Sequence, residues 1–135
     1  LIILDSFKES IMSQRPPRPT EAELGILSVL WQMGPATVKQ AHLVIAKDRD
    51  FSYTAALKLM QIMRDKGLLL RDESNRSHIY WPAQSQEEMQ RSLLGDFVDR
   101  AFAGSGRDLV LAALRAGRVS PEDKAEIRSL LGEEE

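Results

Sequence analysis

Thr54, Lys58 and Gln61 recur at intervals of four and three residues, so a helix here would carry a hydroxyl, an ammonium and an amide on one face. Such groups hydrogen-bond to base edges and phosphates in a nucleic-acid groove. The segment around them, Phe51–Pro82, reads FSYTAALKLMQIMRDKGLLLRDESNRSHIYWP. Ser52 is placed to cap a helix over Tyr53–Lys66, and Gly67 to end it in the left-handed region. At 100° per residue, Ser52, Ala56, Leu59, Met60 and Met63 fall on one side. Thr54, Lys58, Gln61 and Asp65 fall on the other, with Ala55 and Ile62 beside them. Leu68–Glu73 and His78–Pro82 then form a hairpin around Ser74-Asn75-Arg76-Ser77. A helix followed at once by a hairpin with a polar, basic tip is the second half of a winged helix-turn-helix. The base-reading candidates are Thr54, Ala55, Lys58 and Gln61, and the wing-tip candidates are Asn75, Arg76 and Ser77. Asp65 argues against phosphate contact near the end of the helix. Tyr80 and Trp81 alternate across the second strand, so one packs inward while the other faces out.

These residues need two further helices behind them. Thr20 with Glu23 three residues on is a capping box, and Leu24, Leu27, Val29, Leu30 and Trp31 give the following helix a broad apolar face ended by Gly34-Pro35. Ala36-Thr37-Val38 has room for a very short strand. Thr37 then caps a second helix whose period is set by Val38, Ala41, Val44 and Ile45. Thr37 and Lys39 lie at that helix's N-terminus, where free N–H groups and the helix dipole favour a phosphate. His42 reads as a surface or boundary residue. Lys47-Asp48-Arg49-Asp50 is the charged turn that completes helix-turn-helix logic.

Past Pro82 the composition changes. Ser85 with Glu88 opens a helix to about Ala103, striped by Met89, Leu93, Leu94, Phe97, Val98, Ala101 and Phe102. After Gly104-Ser-Gly106, a short helix over Arg107–Ala116 contains the run Leu109-Val-Leu-Ala-Ala-Leu114, including Val110. A last helix opens at Ser120-Pro121-Glu122 and ends near Leu131, with Ile127, Leu130 and Leu131 apolar. Three helices of about 45 residues are marginal as an independent core. A second copy of the chain is the simplest cover for their apolar faces, making this the homodimerisation region. The organisation expected is therefore a flexible tail over 1–19, a winged-helix domain over 20–83 and a helical dimerisation domain over 84–135: mainly α, with one small hairpin.

Charge and composition agree. The chain of 135 residues has net charge −2, 43% hydrophobic residues and no cysteine. Residues 12–82 hold ten Lys/Arg against seven Asp/Glu, while 83–135 hold seven against eleven, so the basic excess falls on the helix and hairpin. The absence of cysteine removes disulfides and thiolate metal sites, and His42 and His78 have no HxxxH partner, so neither metal nor cofactor is expected. No apolar run reaches the roughly 18 residues that span a bilayer. LIIL at the start is too short for a signal sequence and lacks a basic flank, so a cytoplasmic location without membrane insertion is expected. Met12 is a candidate natural start, with Arg15-Pro-Pro-Arg-Pro19 an extended tail after it. No glycine-rich phosphate loop, nucleophile elbow or histidine–carboxylate pair supports an enzyme, and Glu133–Glu135 reads as a solvated terminus.

TEAELGILSVLW, SYTAALKLMQIMRDKGLL and the hairpin ending IYWP together resemble the penicillinase and methicillin-resistance repressor family (BlaI/MecI/CopY) over about residues 20–131. The marks are Thr20-Glu-Ala-Glu23 before a helix ending Leu-Trp, Tyr53-Thr54, and Lys66-Gly67-Leu68. The resemblance implies a homodimeric repressor on a palindromic double-stranded DNA operator, with Ser52–Lys66 in the major groove, so Ser52 and Tyr53 join the contact set. It implies Asn75–Ser77 as wing and the C-terminal helices as dimer. It also implies derepression through cleavage of the tail by a membrane-bound sensor protease. The matching place is Leu109-Val-Leu-Ala112-Ala113, with Ala112-Ala113 where cleaved members have Asn-Phe. The cysteine cluster of the copper-responsive branch has no counterpart, which excludes copper sensing by that route. Ile62 stands where many relatives carry a basic or polar residue. Two rivals remain at the sequence level: a winged helix serving as a protein-interaction module, and a ligand-sensing regulator of the MarR type.

Overall fold

In the computed structural model, which describes residues 17–132, the first helix forms where the capping box demands it. Thr20 Oγ1 accepts from Glu23 N at 3.2 Å, and Glu23 Oε1 accepts from Thr20 N at 2.8 Å. Helix α1 (Glu21–Met33) ends at Gly34, whose φ of 87° no β-carbon-bearing residue adopts cheaply. Helix α2 (Val38–Ile45) repeats the device with Thr37 and Gln40. Helix α3 (Tyr53–Asp65) is capped by Ser52, whose Oγ accepts from Ala55 N at 3.1 Å. It gives way at Gly67, with φ 86°, to strands β1 (Leu69–Asp72) and β2 (Ile79–Pro82).

The strands are antiparallel, with Leu69 opposite Pro82 and Arg71 opposite Tyr80. They are shorter than the expected Leu68–Glu73 and His78–Pro82. Asp72 Oδ1 takes up Ser74 N at 2.9 Å and turns the chain early into the tip. The short strand expected at Ala36 is a single bridge, with Ala36 N donating to Tyr80 O at 3.0 Å and Tyr80 N to Ala36 O at 2.8 Å. Helices α1, α2 and α3 pack on one another, α3 against β1 and α1 against β2. Their common core is Ile26, Leu27, Leu30, Ala36, Val38, Ala41, Ala56, Met60, Met63, Leu68, Leu69 and Tyr80. Each large member stabilises by about 1.5–3 kcal/mol on burial. Three helices followed by a bridged hairpin make a winged helix-turn-helix.

The C-terminal elements are α4 (Gln86–Ala101), α5 (Gly106–Arg115) and α6 (Pro121–Leu130). Helix α4 stops two residues before the expected Ala103, because Ala103 itself turns to φ 48° ahead of Gly104. The chain divides into two compact units after Ser92, inside α4. Met89, grouped by its spacing with the dimerisation stripe, is only 3% exposed and belongs to the core of the first unit. Its side chain is already covered by its own chain, so it offers no free surface. From Leu93 to Gly132, by contrast, no residue is buried. Leu94, Phe97, Val110, Ile127, Leu130 and Leu131 are all exposed. Residues 1–16, with the candidate start Met12 and most of the expected N-terminal tail, and residues 133–135 lie outside the described residues. Among the described residues no helix is long and apolar enough to cross a membrane.

Candidate nucleic-acid interface

Helix α3 turns Ala56, Met60 and Met63 into the core, which forces its opposite face outward. Thr54, Ala55, Lys58, Gln61, Ile62 and Asp65 are accordingly exposed. Beside this face a cleft of about 360 Å³ is lined by Thr37, Lys39, Tyr53, Gln61, Arg76 and Ser77, with Val38, Leu57, His78 and Tyr80 in its walls. One surface concavity thus gathers the start of α2, the face of α3 and the wing tip, three segments far apart in sequence. Ser52, Thr54, Ala55, Lys58 and Asn75 stand outside the cleft lining but are likewise exposed.

Charge pairing separates the cations of this unit into two groups. Arg64 is engaged by Asp65 at 3.6 Å and Glu73 at 3.4 Å, Arg71 by Glu73, and Lys66 by Glu23 at 2.8 Å. Among the described residues Lys39, Lys58 and Arg76 make no ion pair, and all three are exposed. The unneutralised cations therefore include one from each of the three segments. Asp65 is partly neutralised by Arg64, which softens its repulsion of a polyanion.

Several expected contact residues also hold the fold. The Thr37 hydroxyl accepts from Gln40 N at 3.2 Å and the Ser52 hydroxyl from Ala55 N, so both oxygens serve as caps while their O–H protons stay free to donate. The backbone N–H groups of Thr37 and Gln40 are already satisfied, which leaves those of Val38 and Lys39 for an anion at this helix start. Tyr53, half-exposed, stands edge-on to the His42 ring at 6.0 Å, and a His42 ring nitrogen meets the Phe51 carbonyl. His42 is thus a boundary residue joining α2 to the turn. Tyr80 is the inward aromatic of β2, 1% exposed, while Trp81 is half-exposed.

Two ion-pair systems escaped the sequence reading. Glu23 is 2% exposed, and both its oxygens meet Lys66 Nζ, at 2.8 and 2.9 Å. Burial pushes its carboxyl up, but the Lys66 ammonium and the Thr20 hydrogen bonds outweigh that and hold its pKa below the ordinary value. Its signal was present: Glu23, Ile26, Leu27 and Leu30 share one helical face, so a carboxylate sat in an apolar stripe. The second system joins Arg64, Glu73, Arg71 and Tyr80 along the wing, and it depends on strand register. Among the described residues no group of acidic or histidine side chains forms a metal site.

The helix order, the bridged wing and the polar cationic face define a winged helix-turn-helix protein. Residues 19–133 match the sequence family described as "Penicillinase repressor", and the chain belongs to that family. It is 28% identical over 114 residues to "Transcriptional regulator BlaI" of Mycobacterium tuberculosis, covering 84% of this chain and 82% of that protein. It is 20% identical over 112 residues to "Methicillin resistance regulatory protein MecI" of Mammaliicoccus sciuri, covering 83% and 91%. Among solved structures, the monomeric form of Bacillus licheniformis BlaI in complex with the blaP half-operator matches 55% of this chain and 90% of that one, with 19% identity and a TM-score of 0.48.

Proposed function

We propose that this protein is a sequence-specific, DNA-binding transcriptional repressor that acts as a homodimer on a palindromic operator. The observation that carries the reading is a set of cations with no ion pair among the described residues: Lys39 and Arg76 line one open cleft, and Lys58 stands on the exposed face of α3 beside it. Family membership and the regulator names of its relatives support it. Helix α3 would enter the major groove, where Lys58 and Gln61 hydrogen-bond to base edges and Ala55 and Ile62 meet thymine methyls. Lys39, with the start of α2, and Arg76 would hold the flanking phosphates.

The dimer reading is supported by α5 and α6. Together they bound a mainly apolar groove of about 500 Å³ lined by Leu109, Val110, Ala113, Leu114, Val119 and Ile127, with Lys124 and Arg128 at its wall. No described residue of this unit is fully buried, and a second copy would supply the missing cover. Derepression by proteolysis extends the proposal. Ala112 and Ala113 lie inside α5, half-buried, so a protease would need α5 to open locally.

The test is selection of binding sites from random duplex DNA by the wild-type protein, followed by fluorescence anisotropy at two salt concentrations. The expected result is enrichment of an inverted repeat, preferred by about a thousandfold or more over scrambled DNA, with affinity falling steeply in salt. Equal, weak binding to every sequence would overturn the reading.

A further inference from the structure

A two-stranded hairpin of four residue pairs is marginal by itself, so something else must set the angle of the wing. Just past the tip-side end of β1 a single carboxylate oxygen, Glu73 Oε1, accepts from Arg64 Nη2 of α3 at 3.4 Å and from Arg71 Nε of β1 at 2.8 Å, with Arg71 Nη2 also against it. The same Arg71 donates through Nη1 to the Tyr80 hydroxyl at 3.2 Å, and its guanidinium lies 5.7 Å from the centre of the Tyr80 ring. Tyr80 in turn is bridged through its backbone, in both directions, to Ala36. The next residue is Thr37, the cap of α2. One continuous path of hydrogen bonds and covalent links therefore runs from the last turn of α3, through the wing, to the start of α2.

We propose that Arg71 and Glu73 are positioning residues that lock the wing to α3 and α2, holding the three DNA-facing segments in one binding geometry. The inference rests on the repressor reading above and deepens it. Arg71 suits the role and lysine would not, because only the planar fork reaches Glu73 and Tyr80 at once. Its side chain is 14% exposed, too covered for an ordinary phosphate contact, whereas Arg76 at the tip is exposed and makes no ion pair among the described residues. Glu73 gives the proposal a distinctive sign. By charge alone, deleting a carboxylate near a DNA-binding face strengthens binding to a polyanion. If Glu73 locks the wing, its deletion weakens specific binding instead.

The experiment compares wild type, Glu73→Gln, Arg71→Lys, Arg71→Gln and Tyr80→Phe against the duplex selected by the wild-type protein and a scrambled duplex at several salt concentrations, with melting temperatures recorded for each. We expect Glu73→Gln and Arg71→Lys each to lose about tenfold or more on the selected duplex and nothing on the scrambled one, with Tyr80→Phe losing less. Arg71→Gln is expected to keep the wild-type slope of affinity against salt. A Glu73→Gln variant that binds the selected duplex as tightly as wild type, or more tightly, overturns the inference and leaves the repressor reading standing. A salt slope reduced by about one in Arg71→Gln would make Arg71 a phosphate contact and overturn its positioning role. A wild-type protein that enriches no sequence removes both.

Discussion

Lys58 occupies the middle of the exposed face of α3 with no ion pair among the described residues, while Arg76 stands exposed at the wing tip. The two cations are expected to differ in kind. An ammonium directed at base edges discriminates, each good contact contributing about 1–3 kcal/mol of specificity. A guanidinium on the backbone does not. Lys58→Ala should weaken the selected site far more than scrambled DNA, and Arg76→Ala should weaken both alike, as measured by anisotropy at fixed salt. Equal losses for Lys58→Ala on both duplexes would reduce Lys58 to a phosphate contact.

Helices α1 and α3 are joined by the Glu23–Lys66 pair, whose partners are 43 residues apart in sequence. Its two ends are not equivalent. Lys66→Ala leaves a carboxylate stranded at 2% exposure, whereas Glu23→Gln leaves an ammonium that water reaches at 38%. Breaking a fully buried pair costs about 3–5 kcal/mol. Because Lys66 is partly solvated, a loss of about 1–3 kcal/mol is expected for Lys66→Ala, and less for Glu23→Gln, by urea denaturation. The Glu23 carboxyl lies below its ordinary pKa of 4.5 in the folded protein. Its contribution is therefore full above that value and is lost as pH falls through the depressed folded pKa. Glu23→Gln should flatten the acid limb of the stability curve below about pH 4.5, followed by circular dichroism. At the end of α3, Gly67 holds φ 86° with open space where a β-carbon would go. Gly67→Ala should destabilise by about 1–2 kcal/mol through backbone strain alone, read as a lowered melting temperature.

The two units of the chain place different demands on the whole molecule. The first buries a core drawn from all its elements, whereas no described residue of the second is fully buried. Isolated helices of ten residues, such as α5 and α6, do not persist in water without packing. On the proposed homodimer the second unit would take its stability from association, and its apolar surface is the place to test that. Val110, 53% exposed on α5 and lining the apolar groove, is the sharpest probe. Val110→Asp should convert a dimer into a monomer in sedimentation velocity. It should also lower affinity for a two-half-site duplex by about 10²–10⁴-fold, while a single half-site is bound as before. A variant that remains dimeric would move the interface off this face.

The helices and their caps were legible in the residues, because capping boxes, glycine stops and apolar periods are local devices. Thr20 with Glu23, Thr37 before α2, Ser52 before α3 and Gly67 after it act within a few residues, and each acts as its chemistry dictates. The outward face of α3 followed from the same periodicity, since Ala56, Met60 and Met63 leave only one other side for Thr54, Lys58 and Gln61. Family membership followed too, because those local marks recur in a fixed order. What required the tertiary structure was pairing across distance. No spacing rule joins Glu23 to Lys66, or Arg71 to Tyr80 and Glu73 to Arg64. Nor does one tell the paired cations from Lys39, Lys58 and Arg76, or turn Met89 away from the exposed stripe of its own helix. Local propensity and periodicity are properties of neighbouring residues. Charge neutralisation and burial depend on which distant surfaces meet, and packing alone decides that.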